Sequence, residues 1–132
     1  MSLFVSLLEF NHLAIDCARR SRPLLRFGMR IYYVTLNPAD EARQISQALL
    51  EKQLAVCTNW FPITCAYRWE GKTVEEAETV LLVKTQPGYR SAVEQVIREH
   101  ISYTNFIAEI APESVNESFL KWLNTEVPIA PK

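Results

Sequence analysis

Four side chains in the middle and later part of the chain have the types needed to hold a small ligand together. Tyr67 and Trp69 offer aromatic faces with polar tips, Lys84 an ammonium and Tyr103 a second phenol. If a hairpin folds between Trp69 and Lys84, the aromatic tips and the ammonium can face a groove at a subunit boundary. A mostly apolar groove with a few polar groups is the kind that holds a small anion. An interface core built from the same residues is the plainer alternative.

Carboxylates make a second group. Glu75, Glu76 and Glu78 follow one another closely, and in a strand Glu76 and Glu78 share a face. The pair could coordinate a hard cation or receive a lysine, and Glu78 joins the candidate cleft on that ground. A solvated sheet edge would carry the same residues. His100 closes an apolar helical face beside Glu99 and near Tyr103. Imidazole is a common metal donor, which makes His100 the candidate metal ligand, although a core or surface histidine satisfies the pattern more simply. Cys57 and Cys65 have seven residues between them, a spacing that matches no recognised metal motif and suits buried structural thiols.

Several familiar chemistries are absent. With Gly28, Gly71 and Gly88 as its only glycines, the chain cannot wrap a phosphate in backbone amides, and it has no GxGxxG or P-loop string. HExxH, CxxC and GxSxG are also missing, and no base is paired with a nucleophile in sequence. The residues therefore give no reason to expect an enzyme.

The elements that must position the candidates are legible from patterning. Ile31–Thr35 has the β-branched and aromatic content of a buried strand. Asn37 and Pro38 suit the cap and first position of a helix whose first turn carries Asp40 and Glu41. Ala42, Ile45, Ala48, Leu49 and the stem of Lys52 form its apolar stripe, with Glu41, Arg43, Gln47 and Glu51 outward.

The stretch from Ala55 to Thr85 reads as two long strands joined at Glu70-Gly71-Lys72, with Gly71 as the residue free to take positive φ. Val80-Leu81-Leu82-Val83 is continuously apolar, as expected of a strand covered on both faces at the centre of a sheet. A second helix carries Tyr89, Val93, Val96, Ile97 and His100 on one face. Phe106–Ile110 reads as a fourth strand, Asn116 as the cap of a last helix, and Pro128 onward as a loose tail.

This order predicts an α+β domain, a ferredoxin-like βαββαβ sandwich with an extra C-terminal helix. Helices on one face would leave Trp60, Phe61, Tyr67, Trp69, Val80 and Leu82 with too much apolar surface toward water. Burial of the open face by self-association is the expectation, with long edge strands adding to neighbouring subunits.

The 132 residues, 48% hydrophobic and 22% charged, suit one core, read here as residues 29–127 with a tail at 128–132. Residues 1–28 differ in character and are read as an N-terminal extension: either the product of a mis-assigned upstream start, with Met29 as the ordinary first residue, or a short amphipathic helix in which Leu3, Leu7, Leu8 and Phe10 share a face, or an Arg-containing targeting segment. A net charge of −1 indicates neither nucleic acid nor membrane as a partner. Three cysteines without an export signal point to reduced thiols and a cytoplasmic location.

Ala55-Val56-Cys57-Thr58-Asn59, then Pro62, the string Tyr67-Arg68-Trp69-Glu70-Gly71-Lys72, Glu76, Glu78, Lys84-Thr85 and the ending Phe119-Leu120-Lys121-Trp122-Leu123 together resemble the CutA family of divalent-cation tolerance proteins. The resemblance covers residues 29–127. It implies a PII-like homotrimer with strand pairing between subunits, a role in tolerance of copper and other divalent metals, and no established reaction. The family's His-Pro-Tyr-x-x-Pro-Glu run is here Ile101-Ser102-Tyr103-Thr104-Asn105-Phe106-Ile107, which keeps only the tyrosine. The cysteine often found at the end of the first strand is also missing, so tight copper binding through that set is not expected. A small ligand or protein partner at the subunit clefts is the remaining expectation.

Overall fold

Residues 28–37 and 39–132 are described by a computed structural model. Among them the order is β1 (Arg30–Leu36), α1 (Asp40–Glu51), β2 (Cys57–Trp69), β3 (Lys72–Thr85), α2 (Arg90–His100), β4 (Ile107–Ile110) and α3 (Glu117–Glu126). Of the extension read over residues 1–28, residues 1–27 lie outside the described residues, as do Cys17, His12 and the proline at position 38.

The four strands form one antiparallel sheet in the order β2-β3-β1-β4. β3 is internal, and Val80, Leu81 and Val83 on it are fully buried, as their continuous apolar run requires. Side chains alternate along β1: Tyr32, Val34 and Leu36 are buried, while Ile31, Tyr33 and Thr35 are half-buried. The buried set packs with Ala42, Ile45 and Leu49 of α1 and Val93, Val96 and Ile97 of α2, so these helices cover one face of the sheet. Parity puts Phe61, Val80 and Leu82 on the other face with Tyr33. Trp60 falls on the helix side instead, where the Arg43 guanidinium lies 5.8 Å from its ring centre.

β1 pairs only with Thr79–Thr85 of β3, so Lys72–Glu78 and their β2 partners continue as a two-stranded arm beyond the sheet body. The arm turns through Glu70 and Gly71, at φ 48° and 77°. Two central residues at positive φ match the right-handed twist of the flanking strands. Gly71 meets that demand freely, whereas Glu70 meets it against its own Cβ.

Helix α1 begins two residues later than the cap at Asn37 would place it. Ala39 occupies the N-cap and makes no side-chain cap, because a methyl group has nothing to accept with. The backbone N–H of Asn37 is taken instead by the Tyr103 hydroxyl at 2.8 Å. At the other end Gln53 stands at φ 54°, and the amides of Gln53 and Leu54 donate to Leu50 and Leu49. Those two bonds form a Schellman closure with glutamine where glycine is usual. Lys52 is exposed, 3.7 Å from Glu99, rather than part of the apolar stripe.

α3 returns to the body through buried Leu123, and the Gln86 amide donates to Asn124 Oδ1 at 2.7 Å. Two residues of the tail expected to be loose, Pro128 and Ala130, are held against the body. Tyr89 donates its hydroxyl to the Pro128 carbonyl at 2.6 Å, and half-buried Ala130 lies over Gly88. Gly88 has φ +93°, and a Cβ there would stand 2.9 Å from the Ala130 Cβ. Gly88→Ala should therefore cost about 1–3 kcal/mol, combining left-handed strain with displacement of the tail. A urea midpoint equal to the parent's would contradict that packing.

Candidate functional site

Where the β2–β3 arm leaves the sheet body it faces the end of β1, and a cleft of about 730 Å³ opens between them. One wall carries Cys65, Tyr67 and Trp69 of β2 with Val74, Glu76 and Glu78 of β3, all on one face because the register from Cys65↔Glu76 to Trp69↔Lys72 is unbroken. The other wall is the end of β1 and the loop that follows α2, from Tyr103 to Phe106.

That second wall is stitched in place. Thr35 N–H donates to the Phe106 carbonyl at 3.0 Å, Phe106 N–H to Thr35 Oγ1 at 3.1 Å, and the Asn105 amide to the Thr35 carbonyl at 2.9 Å. Phe106 meets Tyr33 edge-on, with ring centres 6.0 Å apart. Tyr103 donates to the Glu41 carboxylate while accepting from Asn37, and so joins loop, strand end and helix start. Glu41 is a fixed acceptor and not a freely solvated charge on the outer face of α1.

The structure brings Tyr67, Trp69, Glu78 and Tyr103 around this cleft, together with Glu76. Lys84 is not among its lining residues. It lies six residues beyond Glu78 along β3, about 20 Å for an extended strand, and its ammonium rests 5.7 Å from the Phe119 ring centre. Within one chain the expected ammonium is therefore missing from the cleft. Period-two spacing put Lys84 on the right face, but distance along the strand separates it from the arm. Sequence reasoning missed Asn105, Phe106 and Thr35, which enter through the fold of the loop onto β1 and carry no local motif.

The carboxylates set the electrostatics. The Tyr67 hydroxyl titrates above its ordinary value, first through its hydrogen bond to Glu76 and then through burial. Burial, followed by the charge of Glu78, raises the Cys65 thiol. A thiol held protonated is a poor nucleophile. Tyr103 is pushed up to about 12 by burial and by its bond to Glu41.

Because the fold favours protonated Tyr103, its stabilising contribution is complete below the ordinary value of 10.0 and is lost as pH rises through about 12. Tyr103→Phe should cost about 1–2 kcal/mol at neutral pH, where two hydrogen bonds disappear. Its melting temperature should then fall less steeply than the parent's between pH 10 and pH 12. Tyr32, raised by burial and Glu109, keeps some alkaline sensitivity in both proteins. Equal slopes in the two proteins would contradict this account.

The residues present do not form a closed metal site. Among the described residues no three His, Cys, Asp or Glu side chains converge as metal ligands. The His100 ring is engaged through Nδ1 with the Val96 carbonyl at 2.7 Å, and it is not among the residues that line the cleft. Cys57 and Cys65 are free and half-buried. Among the described residues no helix is long and apolar enough to cross a membrane.

Comparison with known proteins follows the same outline. The sequence model of the CutA1 divalent ion tolerance protein family matches residues 30–126. The divalent-cation tolerance protein CutA of Archaeoglobus fulgidus is 36% identical over 96 residues, which cover 72% of this chain and 94% of that protein. A CutA homolog of Xenopus laevis is 35% identical over 98 residues, covering 73% of this chain and 65% of a longer protein. The solved Archaeoglobus fulgidus structure, described as a periplasmic divalent cation tolerance protein, superposes with a TM-score of 0.71 at 34% identity, over 75% of this chain and 98% of that one. With the matched span running from β1 through α3, the chain belongs to the CutA1 divalent ion tolerance protein family.

Proposed function

We propose that the chain acts in the response to divalent metal ions as a non-enzymatic, PII-like homotrimer of ferredoxin-like subunits, with its clefts at subunit boundaries. One observation carries this reading. The sheet face opposite the helices presents Phe61 at 42% and Ile110 at 44% exposure, and the arm beyond it presents Trp69 at 63%. A lone copy would hold this surface against water at a cost that a neighbouring copy removes. β2, at one edge of the sheet and along the whole arm, offers free backbone groups to a neighbour's strand.

The proposed role at the cleft is weak binding of a small ligand, or of copper or another divalent cation, without chemistry on it. The thiol of Cys65 is raised, so it supplies no activated nucleophile. Free Cys57 and Cys65 accord with a reducing, cytoplasmic setting.

A second reading, a ligand-binding or protein-interaction scaffold with no physiological metal, is favoured by the lack of three converging metal ligands among the described residues. Titration calorimetry with Cu(II) and Zn(II) separates the two. Saturable heat that chelator reverses supports the metal role; flat titrations with an intact trimer favour the scaffold.

A further inference from the structure

We propose that the tip of each β2–β3 arm docks in the cleft of a neighbouring copy, where its Lys72 is received by Glu76 and Glu78 of that copy. The inference rests on the trimer reading and adds the residues that one copy contributes to another's cleft.

The two faces of the arm differ. One carries Thr64, Ala66, Arg68, Thr73, Glu75 and Ala77, all exposed and none of them large and apolar. The other is the cleft wall, with Tyr67, Trp69, Val74, Glu76 and Glu78. Lys72 stands opposite Trp69 in the register and therefore shares the cleft face. An arm with no helix to cover that face has a side made for a neighbour.

Charge is divided along the face. Lys72 sits at the tip, and Glu76 and Glu78 follow toward the sheet body at about 13 and 20 Å along an extended strand. Among the described residues no ion pair within one copy involves any of the three. Arms laid side by side in the same direction would set like charges together, which is unfavourable, whereas tip against base sets lysine on glutamate. In a ring of three, each arm gives its tip to one neighbour and receives the tip of the other.

The receiving cleft lacks what the tip brings. No lysine, arginine or histidine lines it within one copy, and Lys84 rests against Phe119 instead. Trp69, 63% exposed beside Lys72, carries apolar area to the Phe106 ring, 57% exposed on the far wall. The cleft at the boundary is then walled by two copies, and its charge is set by both.

The test is light scattering of the full-length chain over a dilution series, with Lys72→Glu, with Glu76→Lys/Glu78→Lys, and with all three changes combined. Each reversal alone should raise the concentration of half-dissociation at least tenfold, and the combination should return it to within about threefold of the parent's. Lys72 and Glu76 are exposed in a single copy, so the circular dichroism spectrum should not change. Carbodiimide coupling of a trimer co-refolded from plain and isotope-labelled chains should join Lys72 to Glu76 or Glu78 in peptides of mixed label.

A trimer indifferent to Lys72→Glu, or one that the combined changes fail to restore, overturns the proposal and leaves the trimer standing. Links confined to peptides of a single label put Lys72 on its own arm and overturn it as well. A parent chain that is monomeric at every concentration removes the trimer reading and this inference together.

Discussion

Phe61→Asp should leave the chain folded but unable to assemble, with a solution mass one third of the parent's and an unchanged far-ultraviolet circular dichroism spectrum. Phe61 sits on β2 opposite Val80, on the face the helices do not cover, and in a single copy it is 42% exposed. A carboxylate at that position of an isolated chain can reach water, so its effect on folding should be within about 1 kcal/mol. In the proposed trimer the same carboxylate would be repeated in each copy and taken out of water without a partner, which costs several kcal/mol each time. The asymmetry between a small folding effect and a large assembly effect is the signature. If the variant keeps the parent's mass, Phe61 lies outside the interface; if it loses all secondary structure, the open face is part of the chain's own core.

Leu81→Ala should give the largest loss of folding stability among single truncations. Leu81 lies on the internal strand β3, fully buried, and faces α1 and α2 together with Val83, Tyr32 and Val34. Removing its branched end leaves a cavity that strands on either side and helices above cannot easily close, for an expected loss of about 2–5 kcal/mol. Domains of this size hold about 5–15 kcal/mol in total, so the variant should melt many degrees lower and release soluble chain to proteolysis. Chemical denaturation followed by tryptophan fluorescence measures the loss. A change under about 1 kcal/mol would mean that the covered face of the sheet has been misidentified.

The succession of strands and helices was readable because local pattern and tertiary demand agree over most of the chain. The unbroken apolar run at Val80–Val83 becomes an internal strand, and the three- and four-residue spacing of Ala42, Ile45 and Leu49 becomes the buried stripe of α1. Disagreement appears where one residue answers to a distant partner. Asn37 has the chemistry of a cap, yet Tyr103, far along the chain, takes its amide and the helix opens uncapped at Ala39. Glu70 accepts positive φ because a two-residue connection with the sheet's twist leaves no alternative. Pro128 and Ala130 look featureless in composition, yet Tyr89 holds the first and the missing side chain of Gly88 makes room for the second.

The cleft was half legible for a related reason. Tyr67, Trp69 and Glu78 share one face of the arm, a relation that strand periodicity reveals. Lys84 obeys the same periodicity, and only the length of β3 carries it to Phe119 instead. Asn105 and Phe106 reach the site because their loop is bonded to the end of β1, a pairing between residues with no sequence signal in common.

Sedimentation equilibrium on the unmodified chain tests the central claim most directly, since the open face, the arm and the placement of the cleft at a boundary all require neighbours. The account predicts a single species of three times 15.2 kDa that persists on dilution to micromolar concentration. A folded, stable species of 15.2 kDa would contradict it, because Phe61, Ile110 and Trp69 would then face water with nothing to cover them.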